Sequence, residues 1–192
     1  MTDHTAEAAE WGHVLAGRAD AFGDVFDRHR DRVFRHACRL VDTREDAEDV
    51  LAVAFLELWR LRKRVRVVDG SVLPWLVATT TNVALNHRRG VRRYQRFLSK
   101  LPHAGVTEDA ADRSLQTVEI DVDPQLLDEI RRLSAVDQRL VALVAFEGFR
   151  LWEAAAALGM SVDAARSRWQ RIRRRLADRA TASPAIDLAG GT

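Results

Sequence analysis

The strongest local pattern lies near the C-terminus, in LWEAAAALGMSVDAARSRWQRIRRRL at 151–176. Wound as a helix at about 100° per residue, the stretch after Ser161 sorts its side chains onto two sides. Val162, Ala165, Trp169, Ile172 and Leu176 form a narrow apolar stripe, and Asp163, Arg166, Ser167, Gln170, Arg171 and Arg174 stand opposite. Guanidiniums, an amide and a hydroxyl are the groups that read base edges in a major groove and clamp phosphates. Arg168, Arg173 and Arg175 flank this array, nearer the DNA backbone if the helix lies in the groove. Upstream, the small Ala155 lets two helices cross closely and Gly159 can take the positive φ of a sharp turn, after which Ser161 restarts a helix. That is the punctuation of a helix-turn-helix. A solvated basic helix at the end of a bundle would carry the same charges, but it would not need the turn.

A second array precedes it. Arg88, Arg89, Arg92, Arg93 and Arg96 are spaced to line one helix face, with Trp75, Thr79, Thr80, Thr81, Asn82 and Asn86 just upstream. Arginines that hold a backbone beside amides and an aromatic ring suit a single strand with exposed bases. A core tryptophan beside a solvated arginine face fits these residues equally well. His29, His36 and Cys38 share the first long helix, yet only His29 clearly falls on its apolar stripe, and the three make no compact ligand set. With no glycine-rich phosphate loop and acidic residues spread along helix exteriors, no catalysis of its own, no metal and no cofactor is expected.

The elements that must position these arrays are helical throughout, since strand-like alternation is almost absent. Helices are predicted over about 19–41 (Phe22, Phe26, Val33, Ala37, Leu40), 43–63 with Thr43 and Asp46 as a capping pair, and Pro74 to about 97 after a break at 67–71. Residues 99–123 lose all periodicity, and structure resumes at Asp123-Pro124 with helices over about 124–133, 134–147, 151–158 and 162–178. The expected architecture is all-α: an N-terminal tail (1–18), a helical domain (19–98), a flexible acidic linker (99–123), a small domain ending in a helix-turn-helix (124–180) and a C-terminal tail (181–192).

Composition agrees with a globular chain: 47% hydrophobic, 30% charged and a formal net charge of only +2. Residues 1–98 carry 17 basic and 14 acidic side chains, 99–124 carry 2 and 6, and 125–192 carry 11 and 8, so two mildly basic blocks flank an acidic connector. One cysteine rules out a disulfide framework. The N-terminus lacks the apolar run of a secretory signal and no stretch approaches a membrane span, which points to the cytoplasm and to no membrane insertion.

Taken together the motifs resemble a known family. DAEDV at 46–50, then Phe55-Leu56-x-Leu58-Trp59, Pro74-Trp75-Leu76 and Asn82-x-Ala84-x3-Arg88-Arg89 resemble region two of bacterial RNA polymerase sigma factors, and the C-terminal segment resembles their region four. The short linker is similar to that of the extracytoplasmic-function group. The resemblance implies a non-catalytic initiation subunit whose partners are the clamp helices of the polymerase core and promoter DNA, with an anti-sigma factor as a partner left open. It implies a polymerase-binding surface at Asp46, Glu48, Asp49, Leu56 and Trp59. The −10 element would be read by the 66–73 loop with Asn82, Asn86, Arg88, Arg89 and Arg92, and the −35 element by Arg166, Ser167, Gln170, Arg171 and Arg174. Ala52 and Val53 stand where the family usually carries a polar pair, and Glu153-Ala154-Ala155 replaces Glu-Ile-Ala. The competing function is a helix-turn-helix regulator that reads an operator and never engages polymerase core.

Overall fold

The computed structural model describes residues 3–99 and 124–182. Apart from Ser99, the linker expected at 99–123 lies outside the described residues, as do 183–192. The order is α1 Asp3–Leu15, α2 Ala19–Cys38, α3 Arg44–Arg60, a 3-10 turn Arg62–Arg64, α4 Leu73–Leu98, α5 Pro124–Arg131, α6 Ala135–Val141 continuing as a π-helical turn Ala142–Phe146, α7 Leu151–Leu158 and α8 Val162–Ala182. No strand occurs among the described residues beyond one isolated bridge, Val68 to Ser71.

α2, α3 and α4 form the N-terminal module. Val25 and Val33, Phe55 and Leu58, and Leu76 and Val77 point inward from the three helices and are buried. Thr43 starts α3 by accepting a hydrogen bond from Asp46 N at 3.1 Å, as its spacing suggests. The N-terminal tail expected over 1–18 is corrected by α1, which packs on α2 and buries Trp11, Val14 and Glu7. Two apolar side chains and a carboxylate are too sparse a stripe to be legible as a helix.

Glu7 does specific work. Its Oε1 accepts from His29 Nε2 (2.9 Å), Ser71 Oγ (3.0 Å) and Val72 N (2.8 Å), while Ser71 Oγ accepts from Leu73 N (3.1 Å). These bonds satisfy amides at the start of α4, where Val72 offers no side-chain cap. They also hold the Val68-Asp69-Gly70-Ser71 turn, which reverses through positive φ at Asp69 (50°) and Gly70 (77°). His29 is therefore a satisfied core histidine. His36 is fully buried too, a correction to the expectation that only His29 clearly shares the apolar stripe.

The C-terminal module packs α8 across α5, α6 and α7, and the two modules meet. α4 packs on α6, the π-turn and α7, so that Leu73 and Val77 share one continuous core with Leu140, Leu143, Ala154 and Ala157. Beside it Glu147, with a side chain 5% exposed, accepts from Arg32 Nε (2.8 Å), Arg39 Nη1 (2.9 Å) and His36 Nδ1 (3.2 Å). Arg32 Nη2 also donates to the Glu147 carbonyl at 2.8 Å, and its guanidinium lies 5.3 Å from the centre of the Phe149 ring.

Candidate nucleic-acid interface

The C-terminal turn is built as its spacing requires. Glu153 accepts from Arg150 N at the start of α7, and Ala154 and Ala155 are fully buried where α8 crosses. Gly159 ends α7 in the left-handed region (φ 70°, ψ 35°), and Ser161 Oγ accepts from Ala164 N at 3.2 Å to begin α8. Ala165 and Ile172 are buried and Trp169 and Leu176 half-buried, but Val162, in the first turn, stays 40% exposed and leaves the expected stripe. Arg166, Ser167, Gln170, Arg171 and Arg174 are all exposed together on the outer face. Arg166 pairs with Asp163 at 2.7 Å, an exposed contact that water or phosphate can replace at little cost. The flanking arginines divide. Arg168 Nη1 donates to Asp137 Oδ1 (2.9 Å) and ties α8 to α6, Arg175 Nη2 sits 3.8 Å from Glu129 Oε2, and Arg173 is exposed.

On α4 the second array also divides. Trp75, Thr79, Asn82 and Asn86 line a groove of about 530 Å³ whose other wall is Val53 and Glu57 of α3 and Leu61 just past its end. Exposed Arg89 and Arg93 continue this stripe at helical spacing. Arg88 and Arg92 turn instead to a polar cleft with Asp42, Asp46 and His87. Burial, with Arg131 nearby, pushes the Arg88 guanidinium below its usual range. At 100° per residue the five arginines span an arc of about 140° and share one face of α4, with Arg88 and Arg92 at its cleft edge and Arg89 and Arg93 at its groove edge. Thr80 and Thr81 are buried and bond back to the Leu76 and Val77 carbonyls (2.8 and 2.9 Å), which makes them core residues. The 66–73 loop does not line the groove: Val68, Ser71 and Val72 are buried, and the Arg66 guanidinium lies against Gly159.

α3 presents an exposed ridge of Glu48, Asp49, Ala52, Val53 and Leu56, with Leu56 62% exposed. Asp46 is not on it, because its carboxylate faces α4, 2.9 Å from His87 Nε2. Ala52 and Leu56 border an apolar hollow of about 440 Å³ walled by Ala19, Phe22, Phe26, Phe55 and Trp59. Trp59 is half-buried there, edge-on to Phe22 at 5.1 Å and covered by the Arg62 guanidinium at 4.4 Å. Phe22 and Phe26, legible in sequence only as core, are walls of this hollow.

Two family models match this arrangement: sigma-70 region 2 over residues 25–94, and ECF (extracytoplasmic-function) sigma factor over residues 76–182. The chain belongs to the ECF sigma factor family. It is 34% identical over 159 residues to the RNA polymerase sigma factor CarQ of Myxococcus xanthus, covering 81% of this chain and 86% of CarQ. It is 30% identical over 183 residues to the RNA polymerase sigma factor NccH of Alcaligenes xylosoxydans, covering 92% and 95%. The ECF sigma factor BldN of Streptomyces coelicolor is 29% identical over 84% of this chain and 61% of its own length. Among solved structures, CnrH in complex with the cytosolic domain of CnrY shares the fold (TM-score 0.59, 21% identity, 93% of this chain and 99% of that one). So does RpoE in complex with the anti-sigma factor NepR from Bartonella quintana (TM-score 0.52, 20% identity, 85% and 98%). Family membership favours the sigma factor over the free-standing regulator. No described helix is long and apolar enough to cross a membrane.

Proposed function

We propose that this sigma factor docks on RNA polymerase core through the α3 ridge, reads the −35 element with α8 and holds the opened −10 strand in the α4 groove. The observation that carries it is the exposure of two separate reading surfaces, Arg166–Arg174 on α8 and the Trp75–Asn86 groove on α4, beside a third exposed ridge at Glu48, Asp49 and Leu56.

On α8, Arg171 and Gln170 reach base edges while Arg166 and Arg174 grip phosphates and edges from either side. On α4, a groove with one aromatic wall and two amides suits an extruded base: Trp75 offers a stacking surface, Asn82 and Asn86 offer both donors and acceptors, and Arg89 and Arg93 hold the backbone. Arg88 and Arg92, which belong to the cleft on the other side, contribute charge at longer range. Disrupting stacking costs on the order of 1–2 kcal/mol per base-pair step. One groove cannot offset several such steps alone, so opening takes place on the polymerase, which holds the strands apart. The chain acts by positioning, the bond-making belongs to the polymerase, and the work is done in the cytoplasm where polymerase meets promoters. An anti-sigma factor is proposed as a further partner.

The test is reconstitution. Purified chain added to sigma-free polymerase core should produce transcripts with discrete start sites sharing −10 and −35 sequences. Glu48→Arg with Asp49→Arg should abolish co-purification with core and leave the helical circular-dichroism signal intact. Specific operator binding with no core association would return the reading to the regulator.

A further inference from the structure

The α4 groove offers an extruded base two kinds of surface, and they discriminate differently. α3 and α4 run antiparallel, with Asp46 meeting His87 at 2.9 Å. Seven residues on along α3 and seven back along α4, Val53 comes opposite Thr80. Val53 therefore stands across the groove from Thr79, Asn82 and Val83, which line it with Val53.

The polar surface is permissive. Asn82 and Asn86 are exposed, whereas both carboxylate oxygens of Glu57 already accept from Arg60, at 3.1 and 2.7 Å. An asparagine amide carries a donor beside an acceptor and can turn over. One way round it pairs with N3–H and O4 of thymine. Turned over, it pairs with N3 and the N4 amino group of cytosine, or with N1 and the N6 amino group of adenine. The amides thus hold an edge without choosing the base, and Trp75 stacks on any ring face.

The apolar surface is selective. Val53 is 43% exposed and Val83 half-buried, and both face the groove with nothing a base edge can pair with. Thymine alone among the four bases of DNA carries a methyl group, at C5 beside O4. With N3 and O4 turned to an amide, that methyl projects at the flank of the paired edge, where the two valines take it out of water. The other three bases leave the valines wet.

We propose that Val53 is a specificity-determining residue of the α4 groove and that, with Val83, it selects thymine by its C5 methyl group. The proposal rests on the −10 reading of the groove given above.

The experiment uses the full chain on polymerase core and a promoter found by start-site sequencing, prepared as a fork whose non-template −10 strand is single. Each non-template −10 thymine is replaced in turn by uracil, which lacks only the methyl group, and the holoenzyme concentration for half-maximal binding is measured. One position should lose affinity about fourfold, the effect of one buried methyl group. At that position 5-methylcytosine should bind more tightly than cytosine. Val53→Thr, which keeps the branched shape and puts a hydroxyl in place of a methyl, should bring the thymine-to-uracil ratio near one. The ratio compares two DNAs on one protein, so any change in affinity for core cancels. A −10 strand without thymine, uracil equal to thymine at every position, or a ratio unchanged in Val53→Thr overturns the proposal. Asn82→Ala with Asn86→Ala, both at exposed positions, separates that failure from failure of the reading beneath it. Weakened fork binding in this double variant while uracil equals thymine leaves the −10 groove standing and overturns only the methyl contact. Undiminished fork binding in the double variant removes the groove from −10 reading, and the proposal with it.

Discussion

Glu7 and Glu147 are two buried carboxylates that do different jobs. Glu7 lies inside one module, with a ring nitrogen, a hydroxyl and a backbone amide as partners. Glu147 lies between modules, with two guanidiniums and a ring nitrogen. Burial alone would raise both carboxyls. For Glu7 the His29 hydrogen bond and charge, with the Val72 amide and Ser71, bring it below the usual range. For Glu147 the hydrogen bonds from His36 and Arg32 and then their charges bring it down to about 2. The donors around Glu7 fix one local conformation, that of the turn before α4. The guanidiniums around Glu147 reach it from the other module, so the first carboxylate shapes one turn and the second ties two modules together.

Removing Glu7 should have the largest effect. Glu7→Ala leaves Ser71 Oγ, Val72 N and His29 with a lost acceptor in a sealed pocket and should destabilise the N-terminal module by about 2–3 kcal/mol in urea unfolding. An effect under about 0.5 kcal/mol would mean water replaces the carboxylate. Glu147→Gln should cost about 1–2 kcal/mol, and only to the contact between modules, leaving the unfolding of each module by itself unchanged. Next in size is an acid response. Both carboxyls are depressed in the folded state, so their contribution is complete above about pH 4.5. For Glu147 it is lost as pH falls through about 2. The distance between α3 and α8 should lengthen over that window, and Glu147→Gln should flatten the response. Arg168→Ala, which leaves Asp137 with Ser134 alone, should cost about 0.5–1 kcal/mol of C-terminal module stability. The smallest effect belongs to Asp163→Ala at the exposed Arg166 pair, below about 0.5 kcal/mol in thermal unfolding.

Local periodicity made most elements legible. Thr43, Pro74, Ser134, Gly159 and Ser161 mark helix ends that the structure keeps, because capping and positive-φ chemistry act within a turn of the residue concerned. The exposed face of α8 was legible for the same reason. α1 was not, since the residues of it whose burial is described bury only Trp11, Val14 and Glu7 and it reads as a polar segment. Glu147 looked like a solvated carboxylate because its partners stand 108 to 115 positions away, beyond the reach of any periodic pattern. Helical spacing places the α4 arginines on one face, but the cleft that takes Arg88 and Arg92 is walled by Asp42 and Asp46, which stand too far along the chain for that spacing to show.

On the proposed function, the α4 groove holds an opened −10 strand only when polymerase is present. Permanganate reactivity of unpaired thymines, on a promoter found by start-site sequencing, tests it directly. Reactivity is expected across the −10 element with chain and core together and none with the free chain at concentrations that saturate duplex binding. Asn86→Ala should lower the signal more than it lowers co-purification with core. Strong reactivity without polymerase, or full reactivity in the Asn86 variant, would contradict that function.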